Sequence, residues 1–214
     1  MSTSLDTKAV RAGLTAMARA LADHADQLNA LDAALGDGDM GVTMRLGARA
    51  VMEELAGMEG AEPAALISRA GMTFNRAAAS TIGALIATAG MRMGREFKGA
   101  TEIDLPLLAR GLAAAETGIR ERGKAQRGDK TLLDALIPAV EAIQAAAAAG
   151  VGLEEAGARA LAAAEAGLAA TIPMQSKVGR AGWVGERTVG HPDPGATAVV
   201  MAIRALVENS GQAN

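Results

Sequence analysis

Asp32, Asp37 and Asp39 crowd three carboxylates into the segment Leu31-Asp32-Ala33-Ala34-Leu35-Gly36-Asp37-Gly38-Asp39-Met40-Gly41. Crowded carboxylates repel one another unless a cation lies among them. Mg²⁺ is hard, takes oxygen ligands and commonly shares carboxylates with substrate phosphates. The interspersed glycines let the backbone fold tightly about a small ion. The same residues also suit a solvated turn whose aspartates cap a helix resuming near Val42, and on residue types alone both readings stand. Gly36, Gly38 and Gly41 satisfy G-x-G-x-x-G, but that dinucleotide fingerprint requires a preceding strand, whereas residues 28–34 look helical. Aspartates inside the turn would also repel a bare pyrophosphate. An EF-hand is excluded, because counting Asp37 as its first position puts Ala48 at the twelfth, where a bidentate Glu is needed.

Two further polar loops stand out. Gly123-Lys124-Ala125-Gln126-Arg127-Gly128-Asp129-Lys130-Thr131 gathers cations and a hydroxyl just before a helix. A helix N-terminus there could receive a phosphate, although the residues alone favour a solvated turn with Asp129 as cap. Residues 176–195 form a long glycine-rich stretch in which Arg180 and Arg187 suit bidentate pairing with phosphate. Pro192 and Pro194 stiffen its end. His191 reads as a satisfied polar residue, Trp183 as a packing anchor or a stacking platform, and His24 as a structural residue within a helix. No G-x-x-x-x-G-K-[ST] motif and no protein-kinase signature set occurs, so any phosphoryl transfer must use another scaffold.

The elements that must position these loops are helices. Half of the 214 residues are apolar and many of those are alanine, the strongest helix former. With two Phe, one Trp and no Tyr, methionine and leucine must supply the bulky packing. Alternating β-branched runs are scarce, so a sheet is not supported. Val10, Leu14, Met17 and Leu21 recur at helical spacing, and Asp6 can cap a helix from residue 6 to about 31. Further helices are expected at about 42–55, 62–78, 84–96, 104–122, 131–149 (kinked at Pro138), 153–170 and 196–208. Pro63 falls in a first turn, and Asp104-Leu105-Pro106 repeats a start signal. The alanine tract 145–149 reads as helix. No linker divides the chain and no internal repeat is evident. Eight helices with mostly short connections predict one all-α antiparallel bundle.

The net charge of −3 and a pI near 5.5 make nucleic acid a poor partner. With no Cys, disulfides and thiolate metal sites are excluded. Residues 1–9 lack an apolar signal region, and charged or glycine residues interrupt every apolar run. No membrane span and a cytoplasmic location are therefore expected.

The segments resemble, in order and over nearly the whole chain, the L subunit family of dihydroxyacetone kinases (DhaL). The carriers are the aspartate segment, Gly71-Met72-Thr73, Gly128-Asp129-Lys130-Thr131, and Gly179-Arg180-Ala181 followed by Val184-Gly185-Glu186-Arg187 and Gly190-His191-Pro192-Asp193-Pro194-Gly195-Ala196. The resemblance implies a single domain over 1–214, an eight-helix antiparallel barrel with a nucleotide at one end. It implies that Asp32, Asp37 and Asp39 hold two Mg²⁺ ions bridging the phosphates of ATP or ADP, with Arg180 beside the transferred group. It places nucleotide contacts at Met40, Gly41, Val42, Thr43, Thr81, Ile82, Gly123, Leu132, Arg180, Asp193, Pro194 and Gly195.

The implied activity is phosphoryl transfer to dihydroxyacetone or a related short ketose. The sugar is held covalently by a histidine of a partner K subunit. ATP is one implied donor; the other is ADP rephosphorylated in place by a phosphocarrier M subunit. A homodimer is a further expectation. The chain departs from the family at Met40, at Trp183 and at Ala79–Ala84, where Ile82 stands at the usual serine and a phosphate hydroxyl contact moves to Ser80 or Thr81. A kinase subunit for erythrulose and an ADP-binding regulatory module without turnover are the alternatives.

Overall fold

The structure, a computed structural model, describes residues 3–212; the side chains of Arg180 and Gln212 lie outside the described residues. Ten α-helices are present among them: α1 (Thr7–Asp23), α2 (Ala25–Leu35), α3 (Met40–Ala56), α4 (Pro63–Ala77), α5 (Thr81–Glu96), α6 (Leu105–Gly123), α7 (Leu133–Ala148), α8 (Leu153–Thr171), α9 (Gly179–Val184) and α10 (Pro194–Gln212). Several starts are dictated locally. Asp6 caps α1 by accepting from the Ala9 amide at 2.7 Å, and Asp104 caps α6 by accepting from the Leu107 amide at 2.8 Å. Pro63 opens α4 where its missing N–H costs nothing.

Eight of these helices close a ring in which each packs on the next: α1, α3, α4, α5, α6, α7, α8, α10 and back to α1. The expected all-α eight-helix barrel is thus observed. Short connections make ring neighbours antiparallel, so the junctions α2–α3, α4–α5, α6–α7 and α8–α10 all fall at one end. The other end carries the remaining junctions and a small antiparallel pair, β1 (Ser4–Asp6) with β2 (Glu102–Asp104), Leu5 opposite Ile103. No alternating β-branched run marks this short pair in the sequence.

The barrel interior is divided. One half is filled by bulky residues, among them Leu28, Met44, Leu55, Leu66, Phe74 and Phe97. The half built by α6, α7, α8 and α10 is packed largely by alanines such as Ala135, Ala146, Ala156, Ala164 and Ala196. Small side chains there let helix backbones approach closely.

Several boundaries differ from expectation. The first predicted helix is two, because the backbone at His24 leaves helical geometry; the exposed ring lies with Nδ1 2.8 Å from the Ala20 carbonyl oxygen. Helix α5 begins at Thr81, three residues earlier than expected, since Ser80 Oγ accepts from the Gly83 amide at 3.0 Å. The long stretch before residue 195 contains α9 and a 3-10 turn at Gly185–Thr188. The last helix starts at Pro194, two residues early, capped by Asp193. No helix among the described residues is long and apolar enough to cross a membrane.

Candidate functional site

The acidic turn is shaped by two glycines and two side chains of the preceding helix. Helix α2 ends at Leu35, and Gly38 takes φ +75°, a left-handed value that glycine adopts without strain. The chain reverses and α3 starts against α2. Gly41 is buried at that contact, where a Cβ would collide with the Ala25 carbonyl oxygen. The first amides of α3 are capped from α2. Asp32 Oδ2 accepts from Asp39 N (3.0 Å) and Met40 N (3.2 Å), and Asn29 Oδ1 accepts from Gly41 N (2.7 Å) and Val42 N (3.2 Å). One carboxylate oxygen each from Asp32, Asp37 and Asp39 lies within 4.8 Å of the other two. Asp32 is half-buried; Asp37 and Asp39 are exposed. At about 4 Å, two like charges repel by about 1 kcal/mol in water and about 4 kcal/mol at the effective dielectric near a protein surface. Open to solvent the trio is tolerable. Covered by a polyphosphate it requires a cation, and an all-oxygen donor set suits Mg²⁺.

The neighbouring junctions surround this turn. The segment between α8 and α10 meets α2 through α9 and the 3-10 turn. Thr81 and Ile82 occupy the first turn of α5, Thr81 exposed and Ile82 half-buried against the bulky core. Gly123, the last residue of α6, approaches Leu85 of α5. Gly195 is in contact with Leu132, so two residues expected at the nucleotide are adjacent. Asp193 is buried. Its amide donates to Thr171 Oγ1 (3.0 Å), and its Oδ1 accepts from the Ala196 amide (2.7 Å), capping α10. Burial is the main cause that pushes Asp193 up to about 7; the Asp134 charge adds to it, while the Ala196 amide and Lys130 oppose it.

The loop before α7 differs from its sequence reading. Lys130 is not a solvent-facing cation: it is 2% exposed, and its Nζ donates to the carbonyl oxygens of Met174 (2.9 Å), His191 (2.7 Å) and Thr188. Desolvation lowers its pKa from the usual lysine value, against the attraction of Asp193. Asp129 accepts from the Gln126 amide (2.9 Å) and does not cap α7. Asp134, in the first turn of α7, reaches back instead and accepts from Gly128 N (2.5 Å) and Thr131 N (2.8 Å), tying the loop to the helix start. The spacing Thr131-x-x-Asp134 is close to a capping box and carried that signal. Asn29, mid-helix in sequence, carried none. Trp183, on α9, is 95% exposed and does not anchor packing. The side chain of Arg180 falls outside the described residues, although its backbone lies in α9. A shallow depression of about 360 Å³ near Asp6, Lys8, Arg11 and Glu102 lies at the opposite end of the barrel and shares no residue with the acidic turn.

A closed all-α barrel with an acidic turn among the helix starts at one end defines a class, and comparison with known proteins gives that class its family. Residues 34–208 match the DAK2 domain. The chain is 34% identical over 186 residues to the "PEP-dependent dihydroxyacetone kinase 2, ADP-binding subunit DhaL" of Listeria innocua serovar 6a, covering 86% of each chain. It is 31% identical over 183 residues to the Escherichia coli K12 "PEP-dependent dihydroxyacetone kinase, ADP-binding subunit DhaL", covering 86% of this chain and 87% of that one. The crystal structure of the dihydroxyacetone kinase from C. freundii in complex with AMP-PNP and Mg²⁺ is similar with a TM-score of 0.73 and 27% identity over 97% of this chain. The present chain spans about a third of that kinase, 35% of its length. The chain belongs to the DAK2 domain family, that of the dihydroxyacetone kinase L subunits.

Proposed function

We propose that this chain is the nucleotide-binding subunit of a dihydroxyacetone kinase, a single domain over residues 1–214 that passes a phosphoryl group to dihydroxyacetone held by a K subunit. The observation that carries the reading is the meeting of three carboxylates within 4.8 Å on a turn at the helix-start end of the barrel. Asp32, Asp37 and Asp39 would hold two Mg²⁺ ions there. When bound, Mg²⁺ neutralises charge on the phosphate oxygens, the main requirement of phosphoryl transfer.

The chain's own residues orient the nucleotide. Because Asp32 and Asn29 already take the amides of Met40, Gly41 and Val42, these amides are not open to phosphate. The first turn of α3 therefore acts by fixing Asp39 and presenting the Thr43 hydroxyl. Thr81 and Ile82 at the start of α5 offer a second N-terminus for an anionic group. Gly123, Leu132, Asp193, Pro194 and Gly195 border the remainder of the nucleotide, and Arg180 on α9 stabilises charge on the transferred phosphoryl group. The exposed face of α9 is where a sugar-bearing K subunit would approach.

ADP retained in the site and rephosphorylated by a phosphocarrier M subunit is the donor route favoured by the PEP-dependent, ADP-binding relatives, which match the chain over most of their length. A cytoplasmic location fits the nucleotide requirement. The test is calorimetric titration of ADP with and without Mg²⁺, followed by a coupled assay with the K subunit, a phosphocarrier and dihydroxyacetone. Tight binding only with Mg²⁺, and turnover only with all components, is expected. ADP binding indifferent to chelator would overturn the reading.

A further inference from the structure

The ammonium of Lys130 has three donors, and all three are used on backbone carbonyls far away in sequence. Met174 lies before α9, Thr188 at the end of the 3-10 turn and His191 just before α10. One buried cation therefore pins the α8–α10 segment on both sides of α9. Other bonds support the same closure: Lys177 N to Asp129 O (3.1 Å), Gly190 N to Ile172 O (2.8 Å) and Ser176 N to Thr188 Oγ1 (2.9 Å). Burying an ammonium is costly, and apolar replacements of buried charges are often neutral or stabilising. A charge retained at such a place has its clearest use in orienting what it touches.

We infer that Lys130 is a positioning residue of the nucleotide site, setting where α9 and the Asp193–Gly195 start of α10 stand relative to the acidic turn. This rests on the nucleotide-binding reading above. Lys130 itself is too deeply buried to meet the nucleotide; it acts through the segment that it holds.

Two features of the chain make the test direct: it has no cysteine, and its single tryptophan, Trp183, lies on α9. The Lys130→Cys variant, alkylated in denaturant to its aminoethyl form and refolded, regains a lysine-like ammonium at that position alone. In the unalkylated variant, Trp183 fluorescence anisotropy should fall while helical circular dichroism is kept. Affinity for Mg-ADP should drop by about tenfold or more, a change of about 1.4 kcal/mol. Aminoethylation should restore both.

Unchanged anisotropy and affinity in the folded variant would overturn the inference, as would losses that aminoethylation does not repair. If the native chain fails to bind Mg-ADP, the nucleotide reading falls, and the anisotropy comparison still decides whether Lys130 holds α9. Lys130→Met replaces the cysteine variant if the latter does not fold. Failure of both to fold would make Lys130 a core residue and overturn the positioning role.

Discussion

The acidic turn and the corner around Lys130 lie at the same end of the barrel, yet one leaves its charges in solvent and the other buries them. Asp37 and Asp39 are exposed on a turn whose geometry is held by amide caps from α2. Lys130 and Asp193 are buried; carbonyls of a distant segment occupy Lys130, and the first turn of α10 occupies the Asp193 carboxylate. Charge in a glycine-rich loop is therefore no guide to its role. Charges with solvent access can be reached by a ligand, whereas charges inside a closed backbone cage act on shape.

Substitutions at the two corners should differ in size and in kind. The largest effect is expected at the open corner. Asp37→Asn should weaken Mg-ADP binding by about 100-fold, in the range seen when groups ordering a metal are lost, with helical content intact. Equal affinity by calorimetry would mean that the trio does not hold the cations. Next is the support of that corner. Gly41→Ala places a Cβ against the Ala25 carbonyl oxygen and Asn29 Oδ1. It should cost about 1–3 kcal/mol in urea unfolding, the usual range for overpacking. A neutral result would show that α2 and α3 can move apart without loss.

The buried corner should declare itself through pH. Asp193 has a folded value of about 7, above the 3.8 usual for the carboxyl. Between those values the folded chain binds more protons than the unfolded chain, so stability falls as pH rises, and the loss levels off above about 7. The slope from this group is at most about 1.4 kcal/mol per pH unit. Asp193→Asn should flatten that part of the profile in thermal unfolding measured from pH 4 to 8; an unaltered slope would place the titration elsewhere. The smallest effect separates two lysines of one neighbourhood. Lys177 pairs with Asp129 at 3.7 Å but is mostly exposed. Lys177→Ala should therefore shift stability by less than about 1 kcal/mol. A loss comparable to that of a buried-charge variant would erase the contrast with Lys130.

Much of the barrel was legible. Asp6, Pro63 and Asp104 carried start signals that the structure uses, and the count of ring helices followed from helical spacing and short connections. The split at His24 was not legible, because neither glycine nor proline marks it. The glycines of residues 176–195 concealed α9, since local propensity argues against a helix that tertiary contacts stabilise. At the site, the three aspartates could be grouped because they lie close in sequence. Asn29 and Lys130 could not be assigned: one sits in an ordinary helical run, and the other has acceptors 44, 58 and 61 residues away.

The chain's own order of residues determined where most helices begin, that they pack as an antiparallel bundle, and that an acidic glycine-bounded turn joins two of them. These are consequences of short-range hydrogen bonding and periodic apolar burial, which act over a few residues. Which charges face water is set by long-range packing. Burial of Lys130 and Asp193 depends on closing a ring of eight helices and laying the α8–α10 segment over it, and no local pattern encodes the desolvation that follows.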